Sequence, residues 1–191
     1  PSFGTWEYDW RTGYETAEKY DSWDSNGYER RFAKIAGSLY PIDDFRISYQ
    51  FRVRKEDEWL NWIKDNELAV YDLSQKIISI DMNWYKGIKH EIRLKSQFVA
   101  LEAKNPKSLS VDKSGYLLNA NNQVKSFTEG ITSFQVRYKY EIAPLSYFYL
   151  VYTRGGSIYD DENERNTSKI FRDPWENPDN EIFSLKFRLK Y

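Results

Sequence analysis

The sequence has no cysteine, one histidine (His90), and no apolar run long enough to cross a bilayer as a helix. Without cysteine the chain cannot build a disulfide framework or a cysteine-ligated metal site. With one imidazole, multi-histidine and Cys–His sites are excluded, and a Ser–His–Asp triad would depend on His90 alone. A transmembrane helix needs about 18 or more consecutive apolar residues, so none is expected. We predict neither an enzyme nor a bound cofactor.

Charge and motif content exclude further classes. The 28 Lys and Arg nearly cancel the 29 Asp and Glu, so a strongly basic partner-binding surface is not indicated, and no nucleic-acid signature or phosphate-binding glycine loop is present. Hard oxygen ligands for Ca²⁺ cluster at Asp160, Asp161 and Glu162, but the spacing of a calcium-binding loop is missing. We therefore predict no metal site and no nucleic-acid partner.

Aromatic residues are abundant in a chain that is polar on average. The sequence has 16 Tyr, 11 Phe and 7 Trp, 18% of all residues, with a mean hydropathy of −0.79. A soluble all-β domain can have this composition. So can a transmembrane β-barrel, whose strands are apolar on one side only and whose Tyr and Trp form girdles at both membrane interfaces.

Period-two alternation of apolar and polar residues is the dominant pattern. It is clear in 45–54, 78–84, 91–95 and 134–142, and at the C-terminus, and weaker in 3–11, 29–40 and 146–154. We therefore predict an all-β, antiparallel, up-and-down transmembrane β-barrel with about eight strands in this chain. Residues 1–191 would form a single barrel domain or the C-terminal segment of a larger barrel.

The predicted connections differ in length. Tight turns are expected at 41–44, 86–88 and 143–145, and long polar connections at 55–66, 104–126 and 155–180. Strict alternation of short and long joins is typical of outer-membrane barrels, which have periplasmic turns and extracellular loops. A strand needs about 9–11 residues to cross a membrane. Segments such as 45–63 and 67–85 are longer, so we expect hairpins that project beyond the membrane.

The final strand resembles the C-terminal assembly signal of bacterial outer-membrane proteins. The residues that carry the resemblance alternate up to an aromatic last residue: Phe183, Leu185, Phe187, Leu189 and Tyr191. The glycine common in that signal is absent. The resemblance implies that the outer-membrane insertion machinery recognises this strand. The alternative is an ordinary amphipathic strand at the end of a soluble sheet.

A second resemblance covers about 40–191. It is carried by the segments 92–98 (IRLKSQF), 134–141 (FQVRYKYE) and 147–155 (YFYLVYTRG). They resemble the end of an uncharacterised bacterial family that joins a carbohydrate-binding-like N-terminal module to a barrel domain of unknown function. The resemblance implies that this chain is a fragment of a larger barrel, and that its role is related to sugars.

The polar side of the predicted strands is rich in cations. Ten basic side chains are predicted to face the lumen: Arg46, Arg52, Arg54, Arg93, Lys95, Arg137, Lys139, Lys186, Arg188 and Lys190. Five acidic side chains share that side: Glu7, Asp9, Asp81, Glu91 and Glu141. A basic lumen wall would favour anionic solutes. Alternatively, the cations pair with carboxylates on other strands and form a closed polar core.

Five aromatic residues in the predicted outer loops could stack on sugar rings: Trp23, Trp59, Trp62, Tyr159 and Trp175. The interpretation we favour is that Trp59 and Trp62 lie at the membrane rim and the others pack within loops. His90 is expected to be an interfacial strand residue.

Three functions remain open. The first is an outer-membrane pore or transport-associated barrel of a Gram-negative envelope. The second is a closed eight-stranded anchor or adhesin, and the third a soluble ligand-binding barrel with its apolar faces inward. The first reading implies as partners the lipid bilayer, the insertion machinery, and the remaining strands of a larger barrel or other envelope proteins.

Overall fold

The computed structural model describes residues 5–16, 29–161 and 166–190. Within these ranges the chain is one antiparallel sheet of nine strands with one α-helix, so the predicted all-β, up-and-down arrangement is confirmed. The strands are β1 (Thr5–Thr16), β2 (Glu29–Ile42), β3 (Phe45–Lys64), β4 (Glu67–Lys86), β5 (His90–Val111), β6 (Leu117–Asn119), β7 (Phe127–Ala143), β8 (Ser146–Asp160) and β9 (Asn180–Arg188). The helix α1 (Thr167–Glu176) lies between β8 and β9 in the chain.

Apart from the short β6, each strand pairs with the strand that precedes or follows it, in the order β1-β2-β3-β4-β5-β7-β8-β9. The short β6 pairs with the last residues of β5, on the edge that β7 occupies further along, so there are eight strand positions across the sheet. The sheet is open rather than closed. In the part of the chain that the structure describes, one edge of β1 and one edge of β9 have no strand partner.

The sheet has two distinct ends. At the turn end, tight turns at Asp43-Asp44, 87–89 and Pro144-Leu145 join β2 to β3, β4 to β5, and β7 to β8. The opposite end is here called the loop end. None of the described helices is long and apolar enough to cross a bilayer.

The prediction of three long loops at the loop end is wrong in part. Residues 55–64 belong to β3, which meets β4 at the tight turn Asp65-Asn66. β5 runs on to Val111, and 155–180 contains the end of β8 and all of α1. These segments are polar in sequence, like loops, because the side of the sheet that is apolar nearer the turn end carries polar and charged residues at this end.

Backbone pairing divides the side chains between two faces, since successive residues of a strand point to opposite sides. The apolar face includes Phe45, Ile47, Phe51, Val53, Ile78, Ile80, Met82, Trp84, Ile92, Leu94, Val136, Leu150, Leu185 and Phe187. The charged face includes Arg46, Arg52, Arg54, Asp81, Glu91, Arg93, Lys95, Arg137, Lys139 and Lys186.

The charged face is the more shielded of the two in the middle of β3. Phe51 and Val53 are 46% and 42% exposed, whereas the side chain of Arg54 is only 21% exposed. The same alternation runs through 31–36 of β2, where the charged-face residues are half-buried and the apolar-face residues are mostly exposed. Long cationic side chains are less exposed than smaller apolar ones when they lie on a concave face of the sheet.

The two faces exchange polarity at the loop end. On the charged side, Glu56 of β3 pairs with Leu73 of β4. Leu73 in turn pairs with Ala103 of β5, and Ala103 with Phe127 of β7. There Ala69, Tyr71, Ala103 and Phe127 form the buried hydrophobic cluster of the described chain, with Trp59 and Leu101 packed against it. The next level on the apolar side is instead polar: Lys55, Ser74, Glu102 and Thr128.

Helix α1 packs on the apolar side of the sheet at the loop end. Asn166 caps it by accepting a hydrogen bond from the Lys169 backbone N–H at 3.0 Å. Ile170 and Pro174 are fully buried against the strands. A Cβ at Gly130 or Gly156 would lie closer to the carbonyl oxygens of Ile170 and Pro174 than van der Waals contact allows. Glycine is therefore required where the helix crosses β7 and β8.

We predict that Gly156→Ala destabilises the fold by about 1–3 kcal/mol, because the added methyl overlaps the backbone of α1. Urea unfolding followed by tryptophan fluorescence would measure it. Gly155→Ala is the matched control, since a Cβ there meets its neighbours at an ordinary 3.4 Å. Equal effects of the two substitutions would contradict a close fit between the helix and β8.

Candidate functional site

The register places nine of the ten predicted lumen-facing cations on the charged face: Arg46, Arg52, Arg54, Arg93, Lys95, Arg137, Lys139, Lys186 and Arg188. Lys190 lies beyond the end of β9, where its backbone N–H donates to Ser146 Oγ at 3.1 Å. The charged face is the candidate functional site because it combines these cations with cavities.

Glu91 organises the cations at the turn end of the charged face. Its carboxylate forms an ion pair with Arg93 and lies 3.7 Å from Arg137 Nη2 and 3.6 Å from Lys139 Nζ. The Glu91 side chain is 11% exposed. A carboxylate so far removed from water needs cationic partners, and here three strand positions on β5 and β7 supply them.

Glu56 has the same role nearer the loop end. Its Oε2 accepts a hydrogen bond from Arg30 Nε at 3.0 Å, and Arg54 of its own strand forms an ion pair with it. Lys95 and Asp81, on neighbouring strands, are 4.0 Å apart. Part of the basic surface is thus neutralised by carboxylates on the sheet itself.

The middle of the charged face is lined mainly by uncharged polar side chains. These are Ser38, Ser48, Gln50, Ser79, Gln97, Ser133, Gln135 and Thr153. Two cavities lie here, of about 490 Å³ and 350 Å³, and both include Ser79 and Asp81 in their walls. The larger one is also lined by Glu7, Asp9 and Arg46. Hydroxyl and amide groups both donate and accept hydrogen bonds, so this surface can solvate polar solutes.

The aromatic residues proposed as sugar platforms do not share one site. Trp59 packs into the buried cluster, 6.1 Å from Tyr71 between ring centroids, while the Trp62 Nε1–H donates to the Asp65 carbonyl at 3.1 Å. Tyr159 stacks on Phe127. Trp175 is on α1, on the opposite side of the sheet, and Trp23 lies outside the described residues. Burial raises the pKa of the Tyr71 hydroxyl, with a smaller contribution from Tyr159.

Glu102 ties α1 to the sheet at the loop end. Thr167 Oγ1 donates to its Oε1 at 3.0 Å, and Lys104 Nζ and Lys76 Nζ lie 3.0 Å and 3.7 Å from the carboxylate. Burial by itself would raise the pKa of Glu102. The hydrogen bonds from Lys104 and Thr167 and the charges of Lys104 and Lys76 outweigh burial, so the pKa is lowered.

The residues of the proposed assembly signal lie at or beyond the last strand. Phe183, Leu185 and Phe187 are on the apolar face of β9, and Phe187 is 63% exposed. Leu189 follows the end of the strand and is also exposed. Tyr191 lies outside the described residues.

His90 and the acidic cluster near 160 have other contacts. His90 is on the apolar face at the turn end, with its Nδ1 2.7 Å from the Tyr138 hydroxyl. Asp161 forms an ion pair with Lys125 at 2.9 Å, and this contact lowers the pKa of the Asp161 carboxyl group. Asp160 is buried, and Glu162 lies outside the described ranges. Within those ranges no group of three or more His, Asp or Glu is arranged to hold a metal ion.

Sequence reasoning missed Glu56, because it falls in a segment predicted to be a loop. It also missed Arg30 and Lys34, charged-face cations in β2, whose alternation is weak in sequence. The signal for α1 was present in the sequence. Asn166 precedes a segment with Ile170 and Pro174 spaced four residues apart, a spacing that places them on one side of a helix.

In comparisons with known proteins, no family model, no curated protein and no solved structure matches this chain.

We predict that Glu91→Gln destabilises the fold by about 2–4 kcal/mol, since it leaves Arg93, Arg137 and Lys139 facing one another without a carboxylate. Chemical unfolding would measure the change. Asp57→Asn removes only an exposed pair with Arg31 at 3.9 Å and should change stability by less than about 1 kcal/mol. A Glu91→Gln protein as stable as Asp57→Asn would contradict the role given to Glu91.

We also predict a pH dependence that Glu102 carries. Because its folded-state pKa is lowered, its stabilising contribution is complete above the ordinary glutamate pKa of about 4.3. The contribution is lost as the pH falls through the lowered value. Wild type should therefore lose about 1 kcal/mol more than Glu102→Gln on acidification from neutral pH. Unfolding of both proteins as a function of pH tests this, and parallel curves would contradict it.

Proposed function

We propose that this chain is part of the wall of a bacterial outer-membrane β-barrel, with its apolar face toward lipid and its charged face toward an aqueous interior, and that the barrel is a pore or is transport-associated. The observation that carries the proposal is the inverted burial in β3: Arg54 is shielded while Phe51 and Val53 are exposed. In a soluble protein the apolar side chains would be the shielded ones.

The extent of the apolar face fits a bilayer. In β3 the apolar side chains run from Phe45 to Val53, nine residues, before Lys55 interrupts them. At about 3.3 Å per residue and a strand tilt of about 40°, this corresponds to a band roughly 20 Å high. Lipid-facing bands of outer-membrane barrels are about 25 Å tall.

The upper border of the apolar face is marked by the first charged residue on that side of each strand. This residue is Lys55 in β3, Lys76 in β4, Glu102 in β5 and Arg154 in β8. Glu102 is level with Lys55 and Lys76 with Val53, whereas Arg154, followed through the ladder, is level with Tyr49. The border therefore lies nearer the turn end in β8 than in β3 and β5.

The exchange of polarity at the loop end supports the same orientation. Beyond the border the outward side carries Lys55 and Glu102, while Leu73 and Phe127 turn inward. Strands that leave a bilayer enter water, where the usual arrangement of charge outside and apolar residues inside applies. The strands carry apolar residues on the outward side along one part of their length and charged residues on that side along the other. This fits strands that run from lipid into water.

Aromatic residues lie near both borders of the apolar face. Trp84, Tyr138 and Tyr140 are at the turn end, and Trp175 packs over Phe134 near the upper border. Rings at these two levels fit the girdles of membrane barrels. In this proposal the partners of the chain are lipid, further barrel strands at its free edges, and an insertion machinery that binds β9.

A pore or transport role is preferred to a closed anchor because the middle of the charged face is hollow, with hydroxyl, amide and charged groups around Ser79. The ion pairs of Glu56 and Glu91 and the loop-end cluster favour the anchor, since they fill the two ends of that face. A glycan as the solute rests on the family resemblance alone.

The orientation is tested with one substitution on each face. Phe51→Arg, on the apolar face, should reduce insertion into liposomes, since a cation facing lipid near the bilayer midplane costs about 2–4 kcal/mol. Gln50→Arg, its neighbour on the charged face, should insert like the wild type. Flotation with liposomes and a heat-dependent shift on gels provide the measurements. A detergent-free, monomeric wild type without that shift, or equal insertion of both variants, would overturn the proposal.

A further inference from the structure

Three arginines and an asparagine stand side by side on the charged face near the turn end. Arg46 of β3 pairs with Asn83 of β4, Asn83 with Arg93 of β5, and Arg93 with Arg137 of β7. We call these four residues the arginine row. At about 4.8 Å between neighbouring strands, the row is about 14 Å long.

The cations at the arginine row outnumber the carboxylate that they share. Glu91 is shared by Arg93, Arg137 and Lys139, which leaves two positive charges on those four side chains. Arg46 donates to the hydroxyls of Ser48 and Ser38, at 3.0 Å and 3.2 Å, rather than to a carboxylate.

Four other carboxylates lie near the row. Asp81, one level toward the loop end, is 4.0 Å from Lys95. Asp43 and Asp44 are exposed at the adjoining turn, and Glu141 is the next residue on the charged face after Lys139. Like charges directly opposite each other, as Arg93 and Arg137 are, destabilise a sheet unless a counter-charge lies between them.

A cavity of about 320 Å³ adjoins the row, and its walls include Arg46, Asn83 and Arg93, with Asp43 and Asp44 at the turn. Guanidinium groups present several N–H donors in a planar fork that matches two oxygens of one anion. The Asn83 amide, between two guanidiniums, adds a donor without adding charge.

We propose that the arginine row is a binding site for an oxyanion, a phosphate-, sulfate- or carboxylate-bearing solute in the barrel interior. The assignment of the site to a barrel interior rests on the proposed function. The binding of an anion by the folded chain is independent of that proposed function. Glu91 holds Arg93 and Arg137 in place and competes with the ligand for them.

Inorganic pyrophosphate is a suitable probe, since its two phosphoryl groups can contact separate guanidiniums of the row. Thermal unfolding of the full chain in detergent micelles would be followed with increasing pyrophosphate, at ionic strength held constant with sodium chloride. A ligand that binds the folded state raises the Tm saturably. We expect saturable stabilisation of the wild type and a loss of at least about tenfold in affinity in the Arg93→Gln/Arg137→Gln double variant, or about 1.4 kcal/mol.

Two further variants complete the test. Arg52→Gln removes a cation from another level of the same face and should respond like the wild type. Arg46→Gln removes a guanidinium of the row that donates to serine hydroxyls, so it should fold like the wild type and bind pyrophosphate more weakly. This variant tests the site if the double variant does not fold. No saturable response in the wild type, equal loss in Arg52→Gln, or unchanged binding by Arg46→Gln would overturn the site.

Liposome flotation of the same preparations separates the two proposals. Saturable pyrophosphate binding by a chain that does not insert would reject the membrane proposal and leave the oxyanion site standing. Insertion by a chain without a saturable response would reject the oxyanion site and leave the membrane proposal standing.

Discussion

The antiparallel ladder of backbone hydrogen bonds assigns the side chains of the described strands to one of two faces, and the rest of the structure depends on that assignment. A slip of one residue between two strands would move a whole set of arginines to the apolar side. Glu91 and Glu56 oppose such a slip, because each is shielded and each takes cations from neighbouring strands. Charge pairing across the ladder therefore favours the same register as the separation of apolar and charged faces.

A long hairpin can be stabilised differently along its length. In the half of β3 and β4 near the turn end, no buried hydrophobic cluster is found among the described residues, and the apolar side chains remain exposed. In the half near the loop end, Tyr71 and Phe127 pack edge to face at 5.2 Å within a small core. The described strands thus have a buried core where they extend beyond the apolar face.

The sequence was most informative where one physical pattern dominated. Alternation in 45–54 and 134–142 predicted strands and assigned their side chains to faces, because only an extended strand turns every second side chain to the same side. It failed at 55–64, where both faces of β3 are polar or mixed and the residues resemble a loop. Partners on different strands could not be inferred either. Glu56 and Arg30 are far apart in the chain, and only the register brings them together.

Helix α1 and the two glycines beneath it are a matched set. Gly130 and Gly156 lack side chains where Ile170 and Pro174 approach, so this side of the sheet and the face of the helix packed on it have complementary shapes. Neither partner could change alone without a clash or a void. Among homologous chains, the residues at 130 and 156 should therefore covary with those at 170 and 174, and a homologue without the helix would be free to carry larger side chains on these strands.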